Sequence, residues 1–148
     1  MDAHIEGVRV AGTPEGPLPI VLLGVEGEAD VLPIFIGFDE AVSIARGMDA
    51  EGIGRPLTHD LLLDVVEELG GRVDKVVISD VREATYIADL HLNTPRNDVV
   101  VDARPSDSIA LVSRTNAPIE VSEEVFEDGR RPFEDFETLD DIREVAEI

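Results

Sequence analysis

The fold class is decided by residues 72–93, which carry the sequence RVDKVVISDVREATYIADLHLN. Residues 72–80 and 83–93 both have the composition and alternation typical of strands, and very little chain separates them. Strands joined so closely pair antiparallel, because a parallel pair needs a crossover of roughly a dozen residues or more. In the second segment Tyr86, Ala88, Leu90 and Leu92 alternate onto one face. The stretch therefore predicts two neighbouring antiparallel strands.

The pattern continues on both sides of this pair. Further strands are predicted at residues 5–10, 20–25, 31–36 (broken near Pro33), 99–101 and 118–121. Helices are predicted at residues 39–48, 61–69 with Thr58 as N-cap, 108–114, 122–126 and 139–146 with a capping box of Thr138 and Asp141. Helices grouped between antiparallel strands indicate an α+β fold with a mixed, largely antiparallel sheet on which the helices pack.

The length of 148 residues suits one domain. From Asp128 the composition changes to Asp-Gly-Arg-Arg-Pro followed by acidic and aromatic residues. We therefore expect a compact domain over residues 1–127 and a short acidic appendage with a final helix over residues 128–148.

The charge of the chain is extreme. It has 33 acidic and 12 basic side chains, a net charge of −21, and Lys75 is its only lysine. Self-repulsion of this size destabilises a compact state in dilute buffer, whereas multimolar salt screens it. We therefore predict adaptation to high salt; the alternative is an acidic protein that binds basic partners. The lack of a lysine-rich stretch counts weakly against nucleic-acid binding, because salt adaptation changes the whole surface.

Several classes of function are excluded. The chain has no cysteine, which rules out disulfides, thiolate nucleophiles and iron–sulfur clusters. No apolar run approaches the roughly 20 residues of a membrane span, and the first residues do not resemble a signal peptide. We expect a cytoplasmic protein without membrane association.

Two segments share a design that could carry chemistry. Arg55-Pro56 and Arg104-Pro105 each place an arginine before a proline at a helix entrance, with Asp60 and Asp107 close behind. In one interpretation the aspartates cap helix ends and the arginines are their ion-pair partners. In the other, the two entrances meet and form a polar site. The arginines then hold a phosphate, and a divalent cation takes its ligands from carboxylates and an imidazole, namely Glu40, His59, Asp60, Asp102 and Asp107.

The same segments resemble the bifunctional nuclease domain family. The resemblance rests on residues 32–37 (LPIFIG), 40–41 (EA), 55–61 (RPLTHDL), 86–90 (YIADL) and above all 102–111 (DARPSDSIAL). Their order and spacing match from about residue 5 to residue 125. The resemblance implies a compact α+β domain, frequently self-associated, with nuclease activity on DNA and RNA in some members. It places the polar motif of the family on Glu40, His59, Asp60, Asp102, Arg104, Ser106 and Asp107.

The leading hypothesis is therefore a metal-assisted nuclease that hydrolyses DNA, RNA or both, and the extreme acidity points to a haloarchaeal member of the family. The predicted catalytic residues are His59, Asp60, Arg104, Ser106 and Asp107, with His59 as general acid–base or as a further ligand. Arg55 and Arg104 are the predicted phosphate-binding residues, and Glu40, Asp60, Asp102 and Asp107 the predicted ligands of Mg²⁺ or Mn²⁺. The alternative is a non-catalytic homo-oligomeric interaction module in which these residues hold helix ends together.

Overall fold

Residues 1–49 and 55–146 are described by a computed structural model. These residues form eight strands: β1 (Asp2–Thr13), β2 (Gly16–Val25), β3 (Val31–Phe35), β4 (Arg72–Arg82), β5 (Thr85–Asn93), β6 (Asp98–Ala103), β7 (Ile119–Val121) and β8 (Asp140–Asp141). They also form five α-helices: α1 (Phe38–Asp49), α2 (Thr58–Glu68), α3 (Pro105–Thr115), α4 (Glu123–Gly129) and α5 (Ile142–Ala146). A single 3-10 turn covers Phe133–Asp135.

The strands make one mixed sheet with the order β3-β2-β1-β7-β4-β5-β6, and β8 pairs with β1 beside this path. Every pairing between these strands is antiparallel except that of β7 with β4. The predicted hairpin is confirmed: β4 and β5 pair from Arg72 with Asn93 to Arg82 with Thr85. The predicted α+β class, with a largely antiparallel sheet and helices packed on it, is confirmed as well.

The core lies mainly between the sheet and its helices. Ala41 and Ile44 of α1 and Ile109 of α3 are fully buried against inward-facing strand residues such as Val76 and Ile78. Each large apolar side chain buried here stabilises the fold by about 1.5–3 kcal/mol. α1 lies directly on α3, and Gly47 allows this approach because a Cβ there would collide with the Ser113 side chain.

Several element boundaries differ from the predictions, and three of these differences concern prolines or helix starts. Pro33 does not break β3, because β3 is an edge strand where a missing amide hydrogen costs no ladder bond. α3 begins at Pro105 with Arg104 as its N-cap, three residues earlier than predicted. Thr58 is the first residue of α2 and not its cap; the N-cap is Leu57, whose amide donates to Asp60 Oδ2 over 2.9 Å.

The segment after residue 128 packs on the sheet. Phe133, Phe136 and Leu139 cover Ile20 and Leu22 on the face opposite to the main core. The predicted capping box of Thr138 and Asp141 is wrong, because Asp141 lies in β8 and the last helix begins only at Ile142. The domain boundary at residue 127 stays a prediction.

Three helices start in the same region of the molecule. α1 follows β3 directly and α3 follows β6 directly, while α2 packs on α3. The N-terminal turns of α1, α2 and α3 therefore contribute side chains to one surface. Within residues 1–49 and 55–146, none of the helices is long and apolar enough to span a membrane.

Candidate nucleic-acid cleavage site

A cleft of about 500 Å³ lies where α1, α2 and α3 meet. We call it the catalytic cleft, after the function proposed for it below. Its lining residues are Phe38, Asp39, Glu40, Val42, Ser43, Arg46, Leu57, Thr58, His59, Arg104 and Asp107. The two Arg-Pro segments each lead into a helix that borders this cleft. Four of the predicted site residues therefore share one cleft, namely Glu40, His59, Arg104 and Asp107.

His59 is held from both sides of its ring. Its Nε2 lies 2.9 Å from Asp107 Oδ1, and its Nδ1 lies 2.6 Å from Ser43 Oγ. Arg114 Nη2 donates to the same Ser43 oxygen over 3.0 Å, so the serine hydrogen is free to point at Nδ1. The tautomer that satisfies both contacts carries its hydrogen on Nε2 and donates it to Asp107. The side chain of His59 is only 13% exposed, whereas that of Asp107 is 37% exposed.

Asp107 also binds Arg104 at the mouth of the cleft. Arg104 Nε donates to Asp107 Oδ2 over 3.0 Å, and its Nη2 lies 3.3 Å from Glu40 Oε1. The Arg104 side chain is 65% exposed, which leaves most of the guanidinium open to a ligand. The polar contacts thus run without interruption from Ser43 through His59, Asp107 and Arg104 to Glu40.

These contacts set the charge of the cleft. Burial alone raises the pKa of Asp107, but the hydrogen bonds from His59 and Arg104, together with the charge of Arg104, outweigh it and lower the pKa. The hydrogen bond to Asp107, followed by its charge, raises the pKa of Arg104. Asp107 is therefore ionised and Arg104 charged near neutral pH.

Asp60 does not line the catalytic cleft. Its Oδ1 accepts a 2.6 Å hydrogen bond from Arg114 Nε, and its Oδ2 accepts from the Leu57 amide. Burial raises the pKa of Asp60, but the hydrogen bonds from Arg114 and Leu57 dominate and lower it. Asp60 therefore supports the start of α2 and holds Arg114, which in turn holds Ser43.

The other three predicted residues lie apart from the catalytic cleft. Ser106 is buried and lines a second cleft, described below. Asp102 is exposed on β6, opposite Asp89 of β5. Arg55 is exposed before α2 and makes no ion pair with any described residue.

The donor set does not fit a divalent ion held by the chain alone. Within the described residues, no group of three or more histidine, aspartate or glutamate side chains is arranged to hold a metal. Both oxygens of Asp60 and of Asp107 already accept hydrogen bonds, and Asp102 lies on another element. Mg²⁺ or Mn²⁺ at Glu40, Asp60, Asp102 and Asp107 stays a prediction.

Three residues of the site were not expected from the sequence. Ser43 and Arg46 follow Glu40 at intervals of three residues on α1, and Arg114 follows Asp107 by two turns on α3. Polar residues that recur at helical spacing on one side of these amphipathic helices could have revealed all three. Arg46 lines the catalytic cleft, and its buried Nε has no hydrogen-bond partner among the described residues.

Comparison with known proteins identifies the family. The model of the bifunctional nuclease domain matches residues 21–134, and the chain belongs to that family. An uncharacterized protein of Mycobacterium tuberculosis (strain H37Rv) is 40% identical over 125 residues, covering 84% of this chain and 73% of that protein.

Two plant relatives are more distant. Bifunctional nuclease 2 of Arabidopsis thaliana is 31% identical over 116 residues, 76% of this chain and 35% of the plant protein. Bifunctional nuclease 1 of the same plant is 30% identical over 123 residues, 80% of this chain and 38% of that protein. The family and these relatives suggest a function related to nucleases.

Proposed function

We propose that the chain hydrolyses phosphodiester bonds of nucleic acid in the catalytic cleft. The observation that carries this proposal is the ionised Asp107 held between His59 and the exposed Arg104. An arginine at the mouth of a cleft is suited to a phosphate, because the planar guanidinium donates two parallel hydrogen bonds. Arg46 adds a second cation to the lining of the same cleft.

Asp107 is the member of the His59–Asp107 pair that contacts the substrate. His59 is nearly buried and both of its nitrogens are occupied, so it acts through Asp107. In this mechanism Arg104 shifts from Asp107 to a phosphate oxygen and stabilises the charge that develops on the phosphoryl group. The freed carboxylate oxygen of Asp107 then faces the water that attacks phosphorus.

Water, Asp107 and solvent account for every bond and proton in this reaction. The water oxygen bonds to phosphorus while the bond to the leaving nucleoside oxygen breaks. The proton of the water passes to Asp107, and the leaving oxygen takes a proton from solvent in the open cleft. Positioned acid–base groups of this kind contribute about 10²–10⁴-fold to a rate.

A matched pair of aspartates tests the proposal. Purified protein is incubated with labelled single-stranded RNA and with plasmid DNA in multimolar KCl, with magnesium, manganese or EDTA. Asp107→Asn is expected to lose cleavage by at least about 100-fold, while Asp98→Asn, at the exposed start of β6, retains it. Equal activity of both variants, with unchanged folding by circular dichroism, would contradict the role of Asp107. The EDTA arm tests the predicted dependence on a metal ion.

A second candidate function is a homo-oligomeric interaction module. It is favoured by α2, where Leu61, Leu62, Val65 and Leu69 are exposed along one side of the helix. An apolar stripe of this kind is a feature of surfaces that bind other proteins. Light scattering in multimolar KCl tests this candidate: Leu62→Glu is expected to reduce the mass of the particle if α2 joins copies. If the wild-type chain is monomeric, this candidate is wrong.

A further inference from the structure

A second cleft of about 400 Å³ adjoins the catalytic cleft, and Arg104 lines both. We call it the Phe35 cleft. One side is formed by the end of β3 and Gly37, and another by the turn between β4 and β5 with Thr85 and Tyr86. Pro105 and Ser106 at the start of α3 complete it. A ligand bound to Arg104 can therefore extend into either cleft.

Phe35 is unusual among the phenylalanines of the chain. It is 59% exposed, although the four residues before it in β3 are all buried. The other four phenylalanines of the chain are buried or half-buried. Leaving so much of an aromatic side chain in water forgoes the free energy that its burial would contribute. An exposed aromatic beside an exposed arginine is an arrangement that binds a base and its phosphate.

The Phe35 cleft also offers polar groups near its apolar wall. Ser106 is a buried serine among the lining residues, and Thr85 is exposed at the start of β5. Hydroxyl groups both donate and accept hydrogen bonds, as recognition of the edge of a base requires. Burial raises the pKa of the Tyr86 phenol, so this group stays neutral and adds no negative charge to the cleft.

We propose that the Phe35 cleft binds the nucleobase next to the phosphate held by Arg104, with the base stacked on Phe35. This inference rests on the proposed function, since it takes Arg104 as the phosphate-binding residue. A base can stack on a side chain only when it leaves its neighbours in the strand. The preferred substrate is therefore an unpaired strand, in preference to a duplex.

The net charge of the chain makes a contact between a base and Phe35 important for binding nucleic acid. With a net charge of −21, the protein as a whole repels a polyanion, and high salt weakens the attraction between Arg104 and phosphate as well. Stacking on an aromatic ring depends little on screening and contributes about 1–3 kcal/mol per base. In multimolar salt, base stacking can supply binding free energy that ionic contacts cannot.

The test distinguishes the contribution of the bases to binding from that of the sugar–phosphate backbone. Fluorescence anisotropy in multimolar KCl measures binding of a labelled oligothymidylate and of an abasic strand of equal length, checked afterwards for integrity. Phe35→Ala is expected to weaken binding of oligothymidylate about tenfold, with little change for the abasic strand. Phe35→Tyr keeps the aromatic ring and is expected to bind like wild type, whereas Phe35→Leu binds like Phe35→Ala.

A matched control comes from the opposite edge of the sheet. Val100 of β6 is 58% exposed, and Val100→Ala is expected to change neither affinity. Equal affinity of wild type for the two strands, or equal losses for both strands in Phe35→Ala, would overturn the base subsite.

Cleavage assays on the same proteins separate this inference from the proposed function. If wild type cleaves without any contribution from Phe35, only the base subsite is wrong. If it binds bases through Phe35 but never cleaves, only the hydrolysis is wrong. If it neither binds nor cleaves either strand, both are wrong.

Discussion

Arg114 Nε donates a 2.6 Å hydrogen bond to Asp60 Oδ1 and thereby joins the end of α3 to the start of α2. The same guanidinium donates to the carbonyl oxygens of Ser43 and Ala110 and to Ser43 Oγ. One largely buried side chain therefore fixes the relative positions of the three helices that border the catalytic cleft.

Replacing this guanidinium is expected to cost stability. Arg114→Lys keeps the charge but cannot reproduce donors in a planar fork, so several buried acceptors lose their partners. We expect the free energy of unfolding to fall by about 3 kcal/mol, measured by urea denaturation in multimolar KCl. Arg72→Lys, at an exposed position of β4, is the control and is expected to change stability by less than about 0.5 kcal/mol. Equal losses in both variants would contradict the role of Arg114.

Stability is expected to fall in acid, partly because of Asp60. The folded pKa of Asp60 is lowered below the value of about 3.9 that an unfolded aspartate has. Its contribution is therefore complete above the unfolded pKa and is lost as the pH falls through that value towards the folded pKa. Urea unfolding at a series of pH values from neutral into acid should show a smaller loss in Asp60→Asn. An unchanged slope in that variant would show that Asp60 does not contribute.

His59 is expected to tune the protonation of Asp107. Its hydrogen bond helps to keep the pKa of Asp107 low, so removing it in His59→Ala raises that pKa. If ionised Asp107 accepts the proton of water, the acid limb of the pH–rate profile moves to higher pH in this variant. If His59→Ala is slower at every pH but the acid limb stays at the same pH, the role of His59 is purely structural. His4→Ala, at an exposed position near the chain start, is the control.

Gly37 makes room for the carboxylate of Glu40. A Cβ at this position would collide with Glu40 Oε2, and the flexible end of that side chain would have to move away from Arg104. Gly37→Ala is expected to raise the KM for nucleic acid about threefold, because the lost ion pair of Glu40 with Arg104 is exposed and contributes little free energy. The melting temperature is expected to stay the same. Gly12→Ala, where a Cβ meets no atom within 4 Å, should leave both quantities unchanged. A lower melting temperature with an unchanged KM would point to packing instead.

The predicted salt adaptation is tested by stability alone. With a net charge of −21, self-repulsion should weaken as the Debye length falls from about 10 Å at 0.1 M salt to about 3 Å at 1 M. The melting temperature is therefore expected to rise between these KCl concentrations. A rise that glycerol reproduces at low salt would argue against charge screening as its cause.

Local patterns predicted much of the fold, and long-range contacts account for most of the rest. The pairing of β4 with β5 follows from their sequence alone, because a short turn leaves them no other partner as near. The parallel pairing of β7 with β4 could not be derived in this way, since two strands and a helix separate them in the chain and no local pattern selects so distant a neighbour. The effect of Pro33 is not readable from a local pattern either, because the loss of its amide hydrogen disrupts a strand only when that strand is paired on both sides.

The candidate site shows the same division. The two Arg-Pro segments indicated where helices begin, and Glu40, His59, Arg104 and Asp107 indeed share a cleft. Asp60 looked equivalent to Asp107 because each lies in the first turn of a helix near an arginine. Their difference arises from Arg114, which is 54 residues away from Asp60 and captures that carboxylate outside the cleft.

The three-residue strand β7 has a consequence for how the molecule unfolds. It alone lies between β1 and β4 in the sheet, and so it joins the β3-β2-β1 meander to the β4-β5-β6 meander. The two halves unfold as one cooperative unit only as long as the pairings of β7 and the packing of the helices on the sheet stay intact. The amide hydrogen of Val121 is bonded to the Met1 carbonyl oxygen, and that of Ser122 to the Ile78 carbonyl oxygen. Both amide hydrogens should therefore exchange with solvent only when the whole sheet opens. Earlier exchange there would mark two separate foldons, with the catalytic cleft spanning the boundary between them.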